Sequence, residues 1–535
     1  MDTITLTPTQ KKNLRILLLI GLAVFLLFAI PNAQGAENEY MLSVLSQDES
    51  FQYPFLVSVL TPGDTLLETI KNFISYQHYI YGYPFYIISS LAVLPSRLIY
   101  GAEFGSHVQL NLLLLRQLVS VLPMLIALGF LTWLTTRFKS TFKSVVLFLF
   151  LLSVQGVTRQ NLHWWHPDAF TFLMIVLTFF FLDRDRLHFG RHFYLAAITC
   201  GLAAATKVIG VFFILTIPLY LWMGLRQKKL GIKQAAQKAA LFVLLMLLVV
   251  LITNPLLLIP RTRADIIAVH RRHNDDFAKG WQATGDTYQR GFLSWIPVLT
   301  TWYGQGDMLI FAVLSLVLGA LWGKNKMVHG LFLSWVLPYA FYIFYAIANK
   351  PDHYMLPAML PVYACIFTLA DIGDGIRKKV RTETKPIPPL PPRKFLNTII
   401  AADLAWAIVL IMLTAQFIPN VQRGQRLYHQ AMTAERLLLA CNNSPSNDPD
   451  GRAVNLEDGR WYLMEDYDYT TDPETRRFTA VRGPLEVQAV KSGGQQVWAC
   501  INAVEAEFSA RERAITFKHN HPEIQVFGPD GVELK

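Results

Sequence analysis

Charge is what this chain has least of. Only 16% of its 535 residues are Asp, Glu, Lys or Arg, against 53% that are hydrophobic. A soluble protein of this length carries about 25% charged residues, so an ordinary soluble domain is excluded. No internal repeat is visible. The histidines lack the defined spacing of a closed zinc site, although His163 and His166, and His270 and His273 beside Asp275 and Asp276, are spaced for one helical face. No small-x-small cleavage site dominates the loop after the first apolar run, Ile16 to Ile30, which follows Lys11, Lys12 and Arg15. That run is therefore read as a retained anchor and not a removed signal peptide.

What the chain does have is a succession of hydrophobic runs of roughly 18 or more residues, the signature of spanning helices. The net charge of +10 does not point to nucleic acid, because the basic residues sit in short segments between the runs. Examples are Arg137, Lys139 and Lys143; Arg184, Arg186 and Arg191; Arg226, Lys228, Lys229, Lys233 and Lys238; and Lys324 and Lys326. The segment from Arg377 to Lys379, running on to Arg393 and Lys394, is another. This is the positive-inside pattern.

With the N-terminus in the cytoplasm, charge parity gives about eleven spans, at roughly 15–31, 108–136, 143–158, 168–183, 193–208, 210–225, 239–259, 305–323, 328–348, 355–373 and 396–418. The apolar stretch Tyr83 to Leu98 breaks parity if it crosses, so it is expected to lie along the membrane surface or to re-enter. The linker KPIPPLPPRKF is cytoplasmic and extended. The expected architecture is an α-helical multi-pass domain over 1–418, with a first outer loop at 32–105 and a basic outer loop at 260–304. A small extracytoplasmic domain of α/β or β-rich type follows over 419–535, with strand-like runs RWYLMEDYDY, QVWACINA and EIQVFGPDG. Cys200 and Cys365 fall inside spans as packing residues. Cys441 and Cys500, both in the tail, are a candidate disulfide that an oxidising outer compartment would permit.

This topology gathers polar groups on the outer face: Asp48, Glu49, His78, Arg159, His163, His166, Asp168, Lys207, Asp352 and His353. Ionisable groups in or beside hydrocarbon are functional candidates by default. Asp48, in QDESFQYP, is either a helix cap or a general base for an acceptor hydroxyl, with Glu49 as its alternate. Asp168, in WWHPDAF, either caps its span or acts in the site. Lys207 is either a snorkelling anchor or a phosphate contact. The 260–304 segment is unusually basic for an outer loop, with Arg261, Arg263, Arg271, Arg272, Lys279 and Arg290. It is either a solvated face against lipid headgroups or a phosphate site, since Arg forks match phosphate oxygens. His78, Tyr83, Arg159 and His166 are candidates for the lining of a cavity at this face. No cofactor is required by the pattern; a divalent cation held by Asp48 and Asp168 is the one it admits.

Several of these stretches together resemble the GT-C superfamily of integral-membrane glycosyltransferases, and more closely the protein O-mannosyltransferases and lipid A aminoarabinose transferases. The resemblance covers roughly 10–375. It is carried by QDESFQYP, by HYIYGYPFYIISSLAVLP, by VTRQNLHWWHPDAF with Arg159 and Asp168, by GLAAATKVIG and by DHYMLPAMLP. Departures are the lack of a plain Asp-x-Asp and the HWWHP between Arg159 and Asp168. The resemblance implies a polyprenyl-phosphate-sugar donor and an acceptor hydroxyl on protein, lipid or glycan, meeting at the outer face. Asp48 would be the base, and Lys207, Arg271, Arg272 and His353 would face the leaving lipid phosphate. A transporter or flippase for a lipid-linked sugar, or a non-catalytic envelope assembly protein, is the rival reading. A transporter would more often show paired repeats and broken helices.

Overall fold

The computed structural model describes residues 5–36, 42, 46–162, 164–279, 289–383 and 392–443, with short strands between 453 and 527. Side chains at 47, 214, 279, 379–401 and beyond 428 lie outside that description. Among the described residues, eight helices are long and apolar enough to cross a membrane, or nine if one bent pair counts as a single span. The protein is a multi-pass membrane protein, but length and composition alone do not reach eleven spans. The expected spans at 143–158, 168–183 and 193–208 form the helices Thr141–Ser153, Asp168–Asp185 and Arg191–Thr206. The first and last are short. The middle one carries Asp183, Arg184 and Asp185 in its final turn.

Local chemistry explains the ends of these helices. Thr7 and Gln10 form a reciprocal capping box at the start of Pro8–Asn32. Ser140 caps Thr141–Ser153 by accepting from the Lys143 amide at 3.4 Å. Val108–Thr136 is one long apolar helix, yet residues Arg116–Val121 widen into a π turn. Such turns are rare and gather at functional sites.

Tyr83–Tyr100 is a helix with two faces. Phe85, Tyr86 and Val93 are buried, whereas Leu91, Leu98 and Ile99 are exposed. It is also one of the eight helices long and apolar enough to cross. The 260–304 segment is not a loop. It folds as Pro260–Lys279 and Phe292–Trp302, and the latter meets Gly306–Trp322 at 101°. The last expected span does not stop at 418: the helix runs from Pro392 to Asn443, across the expected domain boundary. Beyond it the backbone forms a two-stranded and a four-stranded antiparallel ladder. Trp461–Leu463 and Ile524–Phe527 fall in two of the expected strand runs. QVWACINA, the Cys441 side chain and Cys500 lie outside the described residues, as does His163. Cys200 and Cys365 are buried and free, as packing residues should be.

One close approach fixes the site geometry. The Gly82 amide donates to the Thr206 carbonyl at 3.0 Å, and the Tyr83 amide to Asn254 Oδ1 at 2.8 Å. This pins the aromatic loop to the turn that carries Lys207. A side chain at Gly82 would run into the Ala205 carbonyl. Gly82→Ala is therefore expected to cost about 1–3 kcal/mol by overpacking, read as a lowered thermal unfolding midpoint in detergent.

Candidate active site

The site begins with a buried ion pair. Glu49 and Arg116 are 0% and 1% exposed and meet at 2.5 Å. Arg116 Nε also donates to both Glu49 oxygens, at 2.9 and 3.2 Å, and Nη1 donates to the carbonyls of Asn32 and Gln34. The Trp165 amide donates to Glu49 Oε1 as well. Four stretches of chain thus converge on one charge pair. The expected alternate base, Glu49, is enclosed: it holds the structure together and has no opening toward a substrate. Arg116 was missed by motif reading, although a charge inside an apolar span is itself the signal.

Its neighbour Asp48 faces the other way. It lies in the first turn of Gln47–Leu60 and is exposed, and Ser46 makes no side-chain cap there. Burial, and then the charges of Asp48 and Asp168, push the Tyr81 hydroxyl well above its ordinary range. Tyr81 thus links the two acids. Its hydroxyl lies 2.6 Å from His166 Nε2.

Asp168 is buried at the start of its helix and binds the Lys207 ammonium at 2.5 Å. His166 Nδ1 lies 3.0 Å from Asp168 Oδ2, and His353 Nε2 lies 3.7 Å from the same oxygen. Next to them, Arg159 reaches Asp352 Oδ1 at 3.2 Å, and His353 Nδ1 lies 3.8 Å from it. Aromatic rings wall the group. Trp164 stacks on His166 at 4.2 Å, Arg159 packs over Trp302 at 4.7 Å, and Lys207 packs over Tyr354 at 5.1 Å. Burial lowers the His166 pKa, partly offset by Asp168, so this imidazole is neutral near pH 7. With Nδ1 toward the carboxylate, its proton belongs there, and Nε2 then accepts from Tyr81.

The expected residues divide by place. Asp168, Lys207, His166, His353 and Arg159 come together. Asp48 lies within electrostatic range of Tyr81, which meets His166. Arg271 and Arg272 are exposed on Pro260–Lys279. His273, on the same helix, is held near pKa 4 by burial, Lys207 and His270, which places it close to Lys207. Tyr83 is turned away: its hydroxyl donates to the Phe73 carbonyl at 2.6 Å and its ring stacks on Tyr76. His78 sits in an aromatic cage, stacked on Phe55 at 5.4 Å and 2.6 Å from the Tyr86 hydroxyl.

The donor set for a cation also differs from expectation. His166, Asp168 and His353 offer ligand atoms within 4.8 Å of one another, and Asp48 is not in that group. His166 Nδ1 and Asp168 Oδ2 face each other and His353 Nδ1 is buried without a hydrogen-bond partner, so the residues present fit a divalent ion.

No protein-family model matches the chain, and no curated protein matches it. Among solved structures it is similar to ArnT from Cupriavidus metallidurans bound to undecaprenyl phosphate, at 12% identity over 79% of each chain with a TM-score of 0.41. It is also similar to the oligosaccharyltransferase AglB from Archaeoglobus fulgidus in complex with an inhibitory peptide and a dolichol-phosphate. That identity is 14%, over 80% of this chain and 58% of the other, with a TM-score of 0.39. Overlaps of this extent leave the reading of the site to its own residues.

Two outcomes follow from the geometry. Glu49→Ala strands a buried guanidinium and is expected to cost about 3–5 kcal/mol, while Glu49→Leu combined with Arg116→Met recovers much of it. A double-mutant cycle on unfolding midpoints measures the difference. His78 has its pKa lowered from 6.5 to about 4 by burial, His166 and His273. The unfolded chain therefore binds this proton more readily than the folded one. The stability it secures is complete above about pH 6.5 and is lost as pH falls toward 4. At pH 5 the loss is about 2 kcal/mol. His78→Gln should flatten the pH dependence of the unfolding midpoint between 7 and 5.

Proposed function

We propose that this protein is a membrane glycosyltransferase that moves a sugar from a polyprenyl-phosphate-sugar to an acceptor hydroxyl at the membrane face bearing Asp48 and Asp168. The observation that carries the reading is an exposed carboxylate, Asp48, within electrostatic range of Tyr81 and Tyr354, the rings that border a buried cluster of Asp168, Lys207, His166 and His353 in a multi-pass protein. In this reading the N-terminus is cytoplasmic, and the site and the tail after Asn443 are on the outer side.

Asp48 takes the proton of the acceptor hydroxyl as the oxygen attacks the anomeric carbon. The bond from that carbon to the lipid phosphate oxygen breaks with inversion, and the lipid phosphate leaves. Lys207, already oriented by Asp168, and the exposed Arg271 or Arg272 meet the phosphate charge. Fixed cations in a site shielded from water are expected to be the larger catalytic contribution. Arg159, held by Asp352 and Trp302, borders the acceptor side. When bound, a divalent cation held by His166, Asp168 and His353 supplies further positive charge for phosphate oxygens.

One feature favours the rival transport reading. The 101° bend between Phe292–Trp302 and Gly306–Trp322 is a broken span or a re-entrant loop, of the kind transporters use. The deciding experiment is transfer of radiolabelled sugar from a panel of polyprenyl-phosphate-sugars by detergent-solubilised protein. Asp48→Asn is expected to reduce release of label by about 10²–10⁴-fold while membrane insertion is unchanged. Equal release by wild type and variant removes Asp48 as base. Absence of turnover with every donor, by folded protein that binds the lipid, moves the assignment to transport.

A further inference from the structure

One cavity is lined by none of the residues of the acidic cluster. It has a volume of about 630 Å³, inside the roughly 300–1,000 Å³ range of small-molecule sites, and lies between the Pro8–Asn32 and Val108–Thr136 helices. Its walls are apolar. Leu14, Leu18 and Phe25 come from the first helix, and Leu125, Ile126 and Phe130 from the second. Gly21 and Gly129 face it, and nothing lies within 4 Å of where a side chain at either would point. The slot is open because both helices place a glycine there.

The two ends of the first helix set its position. Asn32 Nδ2 donates to the Asn161 carbonyl, near the Glu49–Arg116 pair. At the other end Gln10 Nε2 donates to the Arg137 carbonyl and Asn13 Nδ2 to that of Phe138. The lining reaches Leu6, Trp133 and Phe138 at this second end, on the membrane face opposite the acidic cluster.

Volume and charge identify the occupant. A spanning helix, roughly 10 Å across and 30 Å long, fills on the order of 2,000 Å³, several times the volume of this slot, so the slot suits a single acyl chain and not a partner's helix. Lys11 and Arg15 lie seven and three residues before Leu18, toward the end that holds Leu6, on the same helical stripe. Lys139 follows Phe138. All three are exposed, and among the described residues none has an ion-pair partner. A basic rim beside an apolar slot suits an acidic headgroup.

We infer that the slot between the Pro8–Asn32 and Val108–Thr136 helices binds an acyl chain of an anionic phospholipid, with Lys11, Arg15 and Lys139 at its headgroup. The test uses full-length protein in detergent with added phosphatidylglycerol or phosphatidylcholine of identical chains. Native mass spectrometry reads bound lipid, and thermal unfolding reads stabilisation, which a ligand of the folded state must produce. Wild type should retain phosphatidylglycerol and gain more stability from it than from phosphatidylcholine. Gly129→Leu should fill the slot and abolish retention. Lys11→Gln with Arg15→Gln, two exposed positions that leave the fold intact, should erase the preference between headgroups while a lipid still binds. Equal effects of the two lipids on wild type would overturn the proposal. So would retention unchanged in Gly129→Leu, or a protein partner lost from the preparation of that variant.

Discussion

The Glu49–Arg116 pair is the constraint on which the acidic face depends. Two charges removed from water are tolerated only when every donor and acceptor is used, and here they are: Glu49 takes the guanidinium and the Trp165 amide, and Arg116 takes two further carbonyls. Satisfying those groups places four pieces of chain. The end of the first helix, the helix carrying Asp48, the π turn at Arg116–Val121 and the strap before His166 all meet there. The π turn belongs to the same solution, because it begins at the residue whose side chain must reach Glu49. Asp48 is exposed for the reason that Glu49 is buried: adjacent residues on a helix point about 100° apart, and one is committed to the interior.

Beyond this anchor the charge balance of the cluster is close to neutral. Asp168 is set against Lys207 and Asp352 against Arg159, while burial keeps His166 uncharged. A neutral cluster can persist in a shielded site without a ligand, and it is poised to respond to one. In the proposed reaction a phosphate drawn toward Lys207 would compete with Asp168 for the ammonium, which would moderate its affinity and ease its release. A cation at His166, Asp168 and His353 would shift that balance in the opposite direction, leaving Lys207 more available to an anion. The aromatic shell of Trp164, Trp302, Tyr354 and Tyr81 keeps water from screening these exchanges.

Much of this was legible in the sequence. Hydrophobic runs mark most helices because their length is set by the bilayer. Charge parity puts Asp168, His166, Lys207 and His353, residues up to 187 positions apart, on one membrane face, and the structure brings them into contact. What the sequence leaves open has physical causes. Period and composition cannot tell a buried short helix from a span, and Thr141–Ser153 and Arg191–Thr206, at 13 and 16 residues, fall short of the roughly 20 that length alone would mark as a crossing. Glu49 and Asp48 are indistinguishable as a dipeptide, and only the partner of one separates their roles. That partner was readable, since Arg116 is a lone charge in LNLLLLRQLVSVL, but the pairing of Arg116 with Glu49 across 67 residues was not. Tyr83 is one of several aromatic residues in HYIYGYPFY, and the pattern does not say which ring faces the site: the Tyr81 hydroxyl meets His166, while the Tyr83 ring stacks on Tyr76.

The first helix shows how both membrane faces come to be served by one element. Asn32 at one end is tied to Asn161 and to Arg116; Gln10 and Asn13 at the other are tied to the Arg137–Phe138 turn. Between these polar ends the helix makes little buried contact, and Leu18, Leu22 and Leu26 are exposed. In water such a helix would be held poorly. In a bilayer its apolar surface costs nothing, and the hydrogen bonds at its two ends are enough to fix its position and rotation. A slot along that helix can therefore stay open where a soluble protein would collapse it, because lipid and not vacuum is the alternative to protein packing. The same arrangement leaves the acidic cluster insulated: its geometry is set by Glu49, Arg116 and Gly82 at one end, and whatever fills the slot acts at the other.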